Sequence, residues 1–214
     1  MTHFTYLALG DSYTIGEQVL LQESFPCQVV QLLRQNKTMK NSGSETSFTA
    51  PEIIAKTGWT TDELTSAIEK NTLLPQYDFV SLLIGVNNQY RGRSLHEFET
   101  GFTYLLQMAI QFAANQAKKV FVLSIPDWGI TPFAEARLPD GQGRDSKKIA
   151  GEIDAFNEVC KKVSALHNCI YIDITASQRA DGNNAEFLAA DGLHPSAKEY
   201  AKWARLLSEA MMAA

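Results

Sequence analysis

Apolar positions along the chain follow two rhythms. Four short, nearly unbroken apolar runs, Phe4–Leu9, Phe79–Ile84, Val120–Ile125 and Ile170–Ile174, are rich in β-branched and aromatic residues. Runs of this kind predict strands buried on both faces of a parallel sheet. The stretches between them carry helical spacing. Pro26 stands in a first turn ahead of Val29, Val30, Leu32 and Leu33. Thr60 with Glu63, and Ser94 with Glu97, form capping-box patterns ahead of apolar stripes. Ile149, Ile153, Phe156, Cys160 and Val163 recur on one helical face. Ser196 and Glu199 open a last helix that presents Tyr200, Trp203 and Leu207.

The polar stretch Lys37–Thr49 reads as loop, and Glu52–Lys56 as a short edge strand before Gly58. The order is then βαβαβαβαβα, which predicts a three-layer αβα domain, spanning residues 1–214, with a parallel sheet and right-handed crossovers. Open sheets of this type bind ligands outside the C-terminal ends of their strands. Residues that follow strands are therefore the functional candidates.

Composition narrows the classes. A chain of 214 residues with 45% apolar and 20% charged residues fits one large core. The net charge is −5 and Lys and Arg are scattered, which argues against a nucleic-acid partner. No apolar run approaches the ~20 residues of a membrane span, and the first residues lack a signal-peptide pattern. The three scattered cysteines, Cys27, Cys160 and Cys169, read as free thiols of a reducing cytoplasm. The expected location is cytoplasmic. The oligomeric state has no sequence signal.

Every unusual polar cluster falls after a strand. Asp11 and Ser12 follow the first, Gly58 the second, Gly85-Val86-Asn87-Asn88 the third, and Asp191 and His194 come after the fifth. Each has a plain structural reading: Ser12 as a turn serine, Asp191 as a helix cap, Asn87 as a loop residue. Together they have a chemical one. A serine on a strand-to-helix turn exposes its hydroxyl. A carboxylate three residues before a histidine can fold back onto one ring nitrogen and leave the other for the serine. Of the four histidines, His3 and His167 fall on the opposite rim and His96 in a helix first turn, which leaves His194. The N–H groups of Ser12 and Gly58 and the amide of Asn87 could supply an oxyanion hole.

Gly10-Asp11-Ser12, Gly58, Gly85-Val86-Asn87 and Asp191-x-x-His194 occur in the order of the four blocks of the SGNH hydrolases, or GDSL esterases and lipases, which the chain resembles. The resemblance implies a flavodoxin-like αβα sandwich with a five-stranded parallel sheet, and metal-free, cofactor-free hydrolysis of carboxylic esters or thioesters. It implies Ser12 as nucleophile, His194 as base and Asp191 as the orienting acid, with Ser12, Gly58 and Asn87 as the oxyanion hole. Two positions depart from the pattern. Tyr13 replaces the Leu of the family name, and Asn88 stands where the third block usually has Asp.

Position after strands two to four nominates the pocket residues Trp59, Asn88, Tyr90, Trp128, Ile130 and Phe133, with Gln89, Arg91 and Arg93 close by, and Tyr13 joins them as the neighbour of Ser12. With no extra domain to act as a lid, small or short-chain esters are the expected substrates. Rival readings are a flavin-mononucleotide module using Ser12–Gly16 as a phosphate loop, a metal site built from Asp11, Asp127, Asp191 and His194, and a silent binding protein.

Overall fold

A computed structural model describes residues 2–36, 46–135 and 144–214. Five parallel strands form the main sheet: β2 (Tyr6–Gly10), β4 (Glu52–Ala55), β5 (Phe79–Leu83), β6 (Val120–Leu123) and β7 (Ile170–Ile172). Their lateral order is β4-β2-β5-β6-β7. Numbered along the chain within this sheet, that order is 2-1-3-4-5, the doubly wound arrangement whose direction of winding reverses between β2 and β5. The expected edge strand is present as β4, and it pairs through Ala8↔Ile53 and Gly10↔Ala55. β2, β5 and β6 are buried along their whole length, which is why they read as unbroken apolar runs.

A second, two-stranded parallel sheet was not expected. It pairs β1 (Thr2–Phe4) with β3 (Thr46–Phe48). Part of the polar stretch read as loop is thus a strand, and residues 37–45 lie outside the described residues. Phe4 and Phe48 stack across this pair at 5.1 Å, so two isolated aromatics supply its packing. His3 lies in β1 rather than ahead of the first strand.

Helices flank the sheet on both sides. α1 is the single turn Ser12–Ile15, and α2 spans Phe25–Gln35. α3 spans Thr61–Lys70, α4 Val86–Tyr90, α5 Leu95–Phe112, α6 Pro132–Glu135 and α7 Ser146–Leu166. α8 (Thr175–Asp181), which the apolar pattern did not mark, follows β7, and α9 (Ala197–Ala213) is the last helix. α2 packs on α9 over one face, and α3, α5 and α7 pack in sequence over the other. Phe25 of α2 meets Trp203 of α9 at 6.2 Å, and Gln28 Nε2 donates to Ala197 O at 3.0 Å.

Of the two expected capping boxes one is complete. Thr60 N–H donates to Glu63 at 2.9 Å, and the Thr60 side chain caps in return. Ser94 Oγ accepts from Glu97 N–H at 3.2 Å, but Glu97 itself turns to Arg93 at 3.1 Å, so that box is half formed. At the start of α9, Ser196 donates its hydroxyl to Glu186 O, and Glu199 accepts from the Trp203 indole at 2.9 Å.

Candidate active site

β2 ends at Gly10, and the chain turns directly into α1 with Asp11 as its cap. Asp11 Oδ1 accepts from Tyr13 N–H at 3.1 Å, and the Asp11 carbonyl accepts from Thr14 and Ile15 N–H. This fixes Ser12 as the first helical residue. The carboxyl of Asp11 is fully buried and its Oδ2 has no partner. Burial pushes its pKa up to about 7, against the pull of the Tyr13 N–H. Burial also raises the Tyr13 phenol, and the Asp11 charge adds to it.

The histidine comes from a closed loop. An isolated antiparallel bridge joins Leu188 to Pro195, and Ala189 N–H donates to His194 O at 2.8 Å. Gly192 takes φ +65° inside this loop, a conformation that costs glycine little. The turn folds Asp191 back over His194. Asp191 Oδ1 accepts from the N–H groups of Leu193 and His194, both at 3.0 Å. Asp191 Oδ2 meets His194 Nδ1 at 2.6 Å. Partial burial raises the Asp191 pKa, but the His194 ring and these two amides outweigh it and hold the carboxyl below its usual range.

Ser12 and His194 face one cleft of about 240 Å³. Gly58 and Asn87 line it too. The hydroxyl of Ser12 makes no hydrogen bond among the described residues, to His194 or to another group. Catalytic hydrogen bonds are often long without substrate. Gly58 has φ +85°. None of the loop and cap hydrogen bonds uses the N–H of Ser12 or Gly58. Asn87 Nδ2 donates to Trp59 O at 3.0 Å, which occupies one of its two N–H groups.

Of the nominated pocket residues, Tyr13, Tyr90, Trp128 and Phe133 are in the cleft wall. Tyr90 and Trp128 meet edge to face at 5.3 Å, and Trp128 and Phe133 at 6.2 Å. Arg144 lies over the Phe133 ring at 4.5 Å.

Three nominees are elsewhere. Asn88 is fully buried: Thr61 N–H donates to its Oδ1 at 3.1 Å, and its Nδ2 donates to Thr61 Oγ1 at 2.9 Å. It therefore caps α3 instead of touching substrate. Trp59 faces a separate surface depression beside Asp62 and Glu63. Ile130 lies against Gly182, where an added Cβ would come within 2.2 Å of its Cδ1. Three lining residues were not nominated for the pocket: Thr57 before Gly58, Val86 within the third block, and Leu193 between Asp191 and His194. Each adjoins a motif residue but carries no chemistry of its own, so only adjacency could have found them.

The four groups of the metal reading do not gather. Asp127 is fully buried and pairs with Arg179 Nε at 2.8 Å, while Asp191 is held on His194. Among the described residues no three His, Cys, Asp or Glu side chains cluster as metal ligands would.

Comparison with known proteins decides the family. The model of the GDSL-like Lipase/Acylhydrolase family matches residues 8–202. The chain belongs to that family. It is accordingly a GDSL-type esterase, and solved structures share its fold. A lipase/acylhydrolase from Enterococcus faecalis is 23% identical over 98% of this chain and 94% of its own, with a TM-score of 0.61. The acetylxylan esterase Axe2 from Geobacillus stearothermophilus is 18% identical over 97% and 94%, with a TM-score of 0.69. The α/β hydrolase LAE5 from the metagenome of Lake Arreo, Spain, is 17% identical over 99% and 97%, with a TM-score of 0.65. No curated protein matches this GDSL esterase in sequence. No helix among its described residues is long and apolar enough to cross a membrane.

Proposed function

We propose that this esterase cleaves short-chain esters, thioesters included, through a Ser12–His194–Asp191 triad. The observation that carries this reading is the 2.6 Å contact between Asp191 Oδ2 and His194 Nδ1, made beside a cleft that both His194 and Ser12 line. The contact occupies Nδ1 and leaves Nε2 to take the Ser12 proton. Ser12 Oγ then bonds to the ester carbonyl carbon. The oxygen that becomes negative is received by the N–H groups of Ser12 and Gly58 and the free N–H of Asn87. His194 returns the proton to the departing alcohol. Water, deprotonated by His194, releases the acyl group from Ser12 by the same steps.

Cleft chemistry supports the substrate class. Among the described residues its lining is Ser, Tyr, Thr, Gly, Val, Asn, Trp, Phe, Leu and His. An apolar acyl group meets Val86, Trp128, Phe133 and Leu193 there. A volume near 240 Å³ suits a short chain. The fold is shared with an acetylxylan esterase, which is consistent with an acetyl-sized acyl group. The flavin reading lacks support: Thr14, a hydroxyl in its supposed phosphate loop, is fully buried.

The test is labelling with a fluorophosphonate probe alongside hydrolysis of nitrophenyl acetate, butyrate, octanoate and palmitate. Ser12→Ala is expected to lose both the label and the esterase activity, and the parent to prefer acetate and butyrate. Equal labelling of the Ser12→Ala protein would remove Ser12 as nucleophile. A preference for palmitate would overturn the short-chain assignment.

A further inference from the structure

Asn87 is the second residue of α4 and Arg91, four residues on, is the C-terminal cap of that helix. Residues so spaced project over the same side of a helix. Both side chains reach the loop between β4 and α3, and they take two successive carbonyls. Asn87 Nδ2 donates to Trp59 O at 3.0 Å, and Arg91 Nη2 donates to Gly58 O at 2.6 Å. The other arm of Arg91, Nη1, donates to Glu63 Oε2 at 3.2 Å. That same oxygen accepts from Thr60 N–H at 2.9 Å. Asn88 on Thr61 and Arg93 on Asp62, at 2.7 Å, extend the stitching along the loop.

Gly58 needs such a hold. Its φ of +85° is a soft conformation for glycine, and side-chain packing does not constrain it. A Cβ added there would find one atom within 4 Å, Arg91 Nη2 at 3.7 Å. Arg91 itself is not part of the cleft wall.

We propose that Arg91 is a positioning residue for the oxyanion hole: by holding the Gly58 carbonyl it pins the peptide that follows Gly58, which limits how the glycine turns and so steadies its N–H toward the reacting carbonyl oxygen. This rests on the reading of Gly58 and Asn87 as oxyanion donors. The forked guanidinium joins the two donor loops into one unit, with Glu63 fixing the fork. Arg91 and Glu63 are both well exposed, so their ion pair contributes little to overall stability. A purely structural role would therefore leave turnover nearly unchanged.

The experiment measures kcat and KM on nitrophenyl acetate, and the rate of inactivation by a fluorophosphonate, for Arg91→Met and Arg91→Lys. Outright removal of such a donor costs about 100- to 1,000-fold, so its misalignment predicts a kcat lower by about 10- to 100-fold in Arg91→Met. KM should stay within about threefold, because the interaction strengthens in the transition state. Inactivation should slow in parallel, since the phosphonyl oxygen occupies the same hole. Arg91→Lys, which retains the charge and the stem, is expected to show the same loss because one ammonium cannot reproduce the fork. It also carries the test should the Met variant fail to fold. A parental kcat in either folded variant, or a loss confined to KM, overturns the assignment. Ser12→Ala separates the two levels. Activity surviving in Ser12→Ala removes the triad and the role of Arg91 with it, whereas an inactive Ser12→Ala beside a fully active Arg91→Met removes Arg91 alone.

Discussion

Gln89 holds Trp128: its Oε1 accepts the indole N–H at 2.8 Å, and its Nε2 donates to Glu152 Oε2 at 2.7 Å. The largest aromatic in the cleft wall is therefore oriented by a buried amide that itself does not line the cleft. Gln89→Met keeps the volume and deletes both hydrogen bonds. The buried indole N–H then lacks its partner, at a cost of about 1–3 kcal/mol. The expected outcome is a raised KM for esters of bulkier acyl groups with kcat on acetate little changed. Kinetics across an ester series, with tryptophan emission as a check on the indole, measure it.

Asp191→Asn is expected to cut kcat by about 10,000-fold while leaving KM close to the parent. An amide can still meet the ring, but it does not stabilise the imidazolium and it favours the wrong tautomer. The measurement is steady-state kinetics at neutral pH on nitrophenyl acetate. A loss below about tenfold would mean that His194 works without its carboxylate.

Asp11 makes stability depend on pH in the opposite sense to an ordinary paired carboxylate. Its pKa lies near 7 in the fold against 3.8 in the unfolded chain. The native state thus holds a proton that the unfolded state releases. The stabilising effect of this group is complete below pH 3.8 and fades as pH rises through about 7. A shift of this size corresponds to about 3–5 kcal/mol. Asp11→Asn keeps an oxygen to accept the Tyr13 N–H and cannot ionise. It should be more stable than the parent at pH 8, with the gap closing toward pH 4. Urea unfolding at the two pH values measures the difference.

Arg179 neutralises a carboxylate with no water around it. Asp127 is 0% exposed, while Arg179 is about one-third exposed and also reaches Asp154 at 2.8 Å. Removing one member of a buried pair costs about 3–5 kcal/mol. Partial exposure of the arginine puts Arg179→Met near 2–3 kcal/mol. Thermal unfolding tests this, and Asp127→Asn combined with Arg179→Met should regain part of the loss.

The sheet was legible because its strands are buried on both faces, so burial itself wrote Phe79–Leu83 and Val120–Leu123 as apolar runs. β1 and β3 left no such trace: each has three residues, and their packing rests on Phe4 and Phe48. α8 was missed because Thr175–Asp181 is polar, with only Thr175 and Gln178 buried. In the site, chain position told which residues reach the rim but not which way they turn. Asn87 and Asn88 are neighbours on a helical turn, so one lines the cleft and the other caps α3. Ile130 fails for a similar reason, since the 3-10 turn Trp128–Ile130 sends Trp128 to the cleft and Ile130 to Gly182.

The docking of α9 on α2 has a consequence for folding. The proposed nucleophile and base come from distant parts of the sequence, Ser12 just after β2 and His194 in the loop that leads into α9. Phe25 and Trp203 join α2 to α9 at 6.2 Å. In refolding, the serine turn forms with the sheet, but hydrolysis returns only when α9 has docked and the histidine loop has reached the cleft. Recovery of activity therefore times the arrival of that helix on α2.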